Sequence, residues 1–61
     1  MFIELHDDKT PIAINVDEIQ GFWYDEEFEC TRIVMTGGHV FSVKESYQEV
    51  LDRLKKALSY E

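Results

Sequence analysis

Few side chains in this sequence could do chemistry, and they are scattered. Cys30 is the lone cysteine, and the histidines are His6 and His39. A cysteine nucleophile needs a base beside it and a third group to orient that base. Cys30 instead falls inside an extended apolar stretch, where a thiol acts as a small hydrophobe. His6-Asp7-Asp8 could offer a nitrogen and oxygens to a cation, but that spacing matches no tight metal site, and adjacent acids in a turn are ordinarily solvated. Gly37-Gly38 lies between two strands, with no helix N-terminus and no lysine-serine pair behind it, so it is not a phosphate loop. Carboxylates are plentiful, yet a 61-residue chain can hardly enclose a dry pocket for acid–base work. The expectation is a non-enzyme with no catalytic residue, cofactor or metal.

The elements that would position these groups can be read from spacing. Met1 to His6 alternates Met1, Ile3 and Leu5 with Phe2, Glu4 and His6, which predicts a strand over 1–6. Asp7-Asp8-Lys9-Thr10 suits a turn. Pro11 donates no ladder hydrogen bond and belongs at a strand's start or edge, so a second strand is expected over 11–16. Asp17 to Gly21 reads as a turn with room for one helical turn. Strands over 21–24 and 28–36 flank the acidic loop Asp25-Glu26-Glu27, and a fifth strand covers 39–44. Gly37-Gly38 predicts a two-residue hairpin loop, because a type I′ turn needs positive φ at both central positions. Ser46-Tyr47-Gln48-Glu49 is a capping box, and it opens a helix over 47–59. Tyr47, Val50, Leu51, Leu54, Ala57 and Leu58 form its apolar stripe. The fold class is α+β: a small antiparallel sheet or half-barrel of about five short strands, closed by one C-terminal amphipathic helix, in a single domain spanning 1–61.

Charge narrows the partners. The chain has 13 acids against 6 lysines and arginines, a net of −7. Residues 1–30 hold nine acids against Lys9, net −8, while residues 31–61 hold four acids against five cations, net +1. A nucleic-acid binder must displace counterions from phosphates with clustered cations, and half of this chain repels phosphate. No nucleic-acid partner is expected. No apolar run approaches the roughly 20 residues of a membrane span, and Met1-Phe2-Ile3-Glu4 does not resemble a signal peptide. A single unpaired cysteine fits a reducing compartment. The cytoplasm is the expected location.

A chain this short buries only about 60% of its unfolded surface, so self-association is a natural supplement. The two-residue loop would pair Val34 with Phe41, Ile33 with Ser42 and Arg32 with Val43. Neither face of that hairpin is then polar, and one helix covers one face. Val34, Phe41 and Val43 are accordingly the candidate oligomer face, with a dimer favoured and closure into a barrel as the alternative. Phe22, Trp23, Tyr24, Asp25, Glu26 and Glu27 join three aromatics to three acids, the anchor-and-rim make-up of a protein interface. They are the candidate protein-binding residues, with Trp23 expected in the core or at a dimer contact.

The stretch Thr31-Arg32-Ile33-Val34-Met35-Thr36-Gly37-Gly38-His39-Val40-Phe41-Ser42-Val43-Lys44-Glu45-Ser46, followed by Glu49-Val50, resembles the signature of the small FlbD-like flagellar and swarming-associated proteins. Ile12 to Ile19 is similar to that family's upstream segment. Gly37 stands where the family usually has asparagine, and the Phe22-Trp23-Tyr24 stretch with its acidic loop is longer and more aromatic than the family's. Similar short chains also occur among bacteriophage and prophage proteins. The resemblance implies a non-catalytic adaptor or regulatory module and transfers no site residue. The alternative is a phage-encoded acidic inhibitor that imitates nucleic acid towards a basic protein.

Overall fold

The alternation at the start of the chain folds as an antiparallel hairpin of β1 (Phe2–Asp7) and β2 (Thr10–Asn15), in the computed structural model, which describes residues 1–59. Ile3 lies opposite Ile14 and Leu5 opposite Ile12, so their apolar side chains share one face. Asp8 opens the two-residue loop at φ +58, a conformation that aspartate tolerates better than most residues. The His6 amide donates to Glu45 Oε1 at 2.9 Å, and the His6 carbonyl accepts from the Lys44 amide at 2.8 Å. Both groups therefore point away from β2. His6 faces Pro11, so the nitrogen of Pro11 falls on the outer edge of β2, where its missing hydrogen leaves no donor unpaired.

A single 3-10 turn, Val16–Glu18, follows. Asn15 caps it by accepting from the Asp17 amide at 3.0 Å. Then come β3 (Ile19–Asp25), β4 (Cys30–Met35), β5 (Val40–Val43) and α1 (Tyr47–Leu58). The five strands form two antiparallel sheets, β1-β2 and β3-β4-β5, an α+β arrangement. They come together at one end, through the Lys44 amide on the His6 carbonyl. Continuation of that ladder along β1 is blocked, because Glu45 and Arg53 side chains occupy the backbone groups of His6 and Glu4.

The β4–β5 hairpin differs from expectation by one residue. Its loop is Thr36-Gly37-Gly38, closed by the Met35 amide on the His39 carbonyl at 2.7 Å. Gly37 and Gly38 have φ of +93 and +89. Thr36 cannot pair with His39, since its amide and hydroxyl both donate to the Glu18 carbonyl, at 2.8 and 3.2 Å. The register becomes Thr31–Val43, Arg32–Ser42, Ile33–Phe41 and Val34–Val40. A one-residue slip exchanges faces. Thr31, Ile33, Met35, Phe41 and Val43 now share the inner side, and Arg32, Val34, Val40 and Ser42 the outer. The inner face is therefore apolar apart from Thr31, while the outer joins Val34 and Val40 to Arg32 and Ser42. Val34 does not share a face with Phe41 and Val43, and Val43 is a core residue, 2% exposed.

Ile3, Leu5, Ile14, Val16, Ile33, Met35, Val43 and Val50 are the buried core. The helix opens with the expected capping box: the Glu49 amide donates to Ser46 Oγ, and the Ser46 amide to Glu49 Oε1, both at 3.1 Å. Its contact line is narrower than its apolar stripe. Val50 is fully buried, and Leu54 and Ala57 pack partly against the core. Leu51 flanks that line half-buried, and Tyr47 and Leu58 are exposed. The reason is spacing: Val50, Leu54 and Ala57 recur at i, i+4 and i+7 on one line, and Leu51 lies about 100° around the helix from Val50.

Candidate functional site

Three places could carry function: the ionisable cluster around Glu45, the aromatic strand β3 with its acidic loop, and a cleft between the sheets.

Glu45 is 7% exposed and gathers its partners from distant parts of the chain. Its carboxylate accepts from the His6 amide at 2.9 Å, lies 2.7 Å from His6 Nδ1, and accepts from Arg53 Nη1 at 3.3 Å. Arg53 Nη1 also donates to the Glu4 carbonyl at 2.7 Å. Burial alone would raise the Glu45 carboxyl, but the His6 ring, the His6 amide and Glu45's own amide together outweigh it. Its pKa lies below the ordinary carboxylate value. A histidine oriented by a carboxylate could serve as a base; among the described residues, no serine or cysteine side chain hydrogen-bonds to His6 or Glu45. What the cluster does is mechanical, clasping α1 and the end of β5 to β1. No expectation from the sequence covered it. No local pattern announces a contact between residues 39 apart.

The six residues singled out at β3 divide. Phe22 packs against the core and stacks on Tyr47, ring centroids 5.1 Å apart. Trp23 and Tyr24 are 42% and 49% exposed, so Trp23 is not a core residue. Asp25 is structural. Its Oδ1 accepts from the Glu27 and Phe28 amides at 3.0 and 3.3 Å, and Oδ2 lies 3.9 Å from Arg32 Nη1. Arg32 also lies over the Phe28 ring, 5.0 Å from its centroid. The loop therefore has a neutralising cation, contributed from β4, and only Glu26 and Glu27 of the acidic run are freely exposed. Phe28 and Glu29 belong to this loop rather than to β4, with Glu29 at φ +53.

The cleft, about 650 Å³, runs between the outer edge of β2 and the tip of the β4–β5 hairpin. Phe2, Ile12, Ile14, Met35 and Phe41 line it, together with Glu18. Phe2 and Phe41 are 66% and 41% exposed. The cleft lies where the sheets, which share a core and are bridged by backbone between His6 and Lys44, leave the β2 edge and the hairpin tip apart. Phe41, named for the oligomer face, lines this cleft; Phe2 was not singled out, although an aromatic on the polar side of an alternating strand was a visible signal.

Cys30 is half-buried at the start of β4, and His39 is exposed beside the cleft. Among the described residues, no group of His, Cys, Asp and Glu is placed to hold a metal ion, and no helix is long and apolar enough to cross a membrane. Comparison with family models, curated proteins and solved structures finds no match.

Proposed function

We propose that this chain is a non-catalytic module that works by binding protein, a second copy of itself included. The observation that carries the reading is the apolar cleft with two half-exposed phenylalanines, Phe2 and Phe41, beside the unpaired edge of β2. An apolar concavity of this kind suits the apolar side chains of a partner polypeptide. Glu18 in the lining of the cleft and the net charge of −7 favour a partner segment that joins apolar residues to a cation. The ionisable groups that the fold brings closest together, His6, Glu45 and Arg53, are occupied in holding elements to one another.

A flagellar or phage setting, which the resemblance of Thr31–Ser46 implies, is compatible with such a module. The nucleic-acid-mimic reading draws less support, since Asp8 and Asp25 in the acidic half are paired with Lys44 and Arg32.

Capture of a partner from cell extract by the immobilised chain is the direct test. Phe2→Ser and Phe41→Ser should each abolish capture. Leu58→Ser, which alters an exposed apolar residue outside the cleft, should retain it. Equal capture by all three variants would place the binding surface elsewhere.

A further inference from the structure

We propose that β3 is a pairing edge that joins two copies of this chain by antiparallel β3–β3 addition about a two-fold axis at Phe22, with Trp23 of each copy seated over Gly21 of the other. This deepens the self-association part of the proposed function by naming the surface that carries it.

Strand β3 is the longest strand and lies at the outside of its sheet, paired with β4 alone. Among the described residues, no backbone group from Gln20 to Tyr24 hydrogen-bonds outside that ladder. Unpaired edges are ordinarily guarded by proline, lysine, a bulge or a covering side chain. Two of the other edges are guarded: Pro11 stands on the edge of β2, and Glu45 and Arg53 cover the edge of β1, while β5 is only four residues long. The irregularity in β3 is confined to its first residues, Ile19 to Gly21. Gly21 to Asp25 run in regular register with β4, with no lysine or proline. Ile19 to Tyr24 is also an uncharged run of six residues within the acidic half of the chain.

Gly21 supplies the second observation. A glycine inside a strand weakens it, and its usual justification is a bulge with positive φ or the close approach of another chain. Gly21 does not have positive φ. A Cβ built on it would meet only Val34 Cγ1, at an ordinary 3.8 Å. Neither crowding nor backbone conformation requires glycine there, although the irregularity with β4 ends at it. Two residues along the same face, Trp23 stands 42% exposed. A knob and a hole two residues apart on one strand become mutually complementary in a two-fold antiparallel pair centred between them. Each tryptophan then meets the other copy's glycine. A foreign strand would need its own glycine and its own large side chain in that spacing; a second copy has both. The same axis brings together the inner-face aromatics, Phe22 stacked on Tyr47 and the half-exposed Tyr24, with their counterparts.

The axis also brings the acidic 3-10 turn of each copy, with Asp17 and Glu18, towards the acidic loop of the other, with Glu26 and Glu27. Like charges therefore meet at both ends of the pair, and added salt should strengthen it. Sedimentation equilibrium should show a dimer at micromolar concentration whose dissociation constant tightens several-fold between about 0.02 M and 0.5 M salt. Gly21→Val fills the hole and Trp23→Ser removes the knob; each should weaken the dimer about ten-fold or more, with the helical circular-dichroism signal retained. Amide exchange of the unaltered chain supplies a reading that needs no variant: protection at Gly21 to Tyr24 should rise with concentration. A dimer that persists in both variants, without concentration-dependent protection of β3, overturns the β3 edge but leaves self-association standing. A dimer that loosens as salt rises overturns the register at Phe22. A mass of 7.2 kDa at every concentration overturns both this inference and the self-association it rests on.

Discussion

The edge of β2 carries Pro11 on its outward side, whereas the edge of β3 runs from Ile19 to Tyr24 with neither a proline nor a charge. The side towards α1 is guarded further, since Glu45 and Arg53 occupy the backbone groups that β1 would offer to a sixth strand. Both sheets are small and antiparallel, so nothing in their architecture demands the difference. Edge protection is a choice made locally by side chains. A proline and a buried carboxylate stand on the edges of β2 and β1, whereas β3 keeps aromatics and a glycine on an edge without such a guard. That contrast is what supports the proposed pairing at β3.

The largest effect should come from undoing the guard on β1. Glu45→Ala strands the His6 amide and leaves Arg53 with the Glu4 carbonyl alone, and it should cost about 2 kcal/mol in urea unfolding. Acid should attack the same clasp. Because the Glu45 pKa is lowered on folding, the unfolded chain takes up its proton first as pH falls. The stability supplied by this group is whole above about 4.5, the ordinary value, and is lost as pH drops through the lower folded value. Glu45→Gln should flatten that part of the stability–pH profile. An unchanged profile would mean that the clasp contributes nothing through its charge.

Val50→Ala comes close behind, at about 2 kcal/mol, from two lost methyl equivalents and the cavity they leave. Leu51→Ala should cost distinctly less despite removing more carbon, since Leu51 flanks the contact line. Chemical denaturation of the two variants side by side decides whether the helix is anchored where the geometry puts it.

At the acidic loop beside the bare edge, Asp25→Ser should cost about 1 kcal/mol through the two amide bonds and the Arg32 contact it gives up. Glu26→Ser with Glu27→Ser should leave the melting temperature within a degree or two. Equal losses from both changes would show that Asp25 does not organise the loop.

The smallest stability effect, and the sharpest reading of the edges, belongs to Pro11→Val. An N–H restored to an outward-facing, solvated position should alter stability by no more than about 0.5 kcal/mol. It should nevertheless open a second pairing edge, visible in light scattering as species larger than a dimer. A Pro11→Val protein no more associative than its parent would mean that Pro11 guards nothing.

Local signals were sufficient for the elements themselves. Period-two alternation marked β1 and β2, adjacent glycines marked the β4–β5 loop, and Ser46 with Glu49 marked the helix start, because each is decided by residues within a few positions. The same signals located Phe41 and the aromatics of β3 as surface to be explained. Register, by contrast, was decided at long range: two hydrogen bonds from Thr36 to the Glu18 carbonyl lengthened the hairpin loop by one residue and exchanged the faces of β5 relative to β4. The fates of Asp25 and Arg53 also depended on tertiary structure, since an acid in a loop and a cation on a helix read as solvated until a partner from another element reaches them. The cleft arose in the same way. It lies where two sheets that meet at His6 and Lys44 diverge, and a sequence encodes the strands of such a gap without encoding the angle between them.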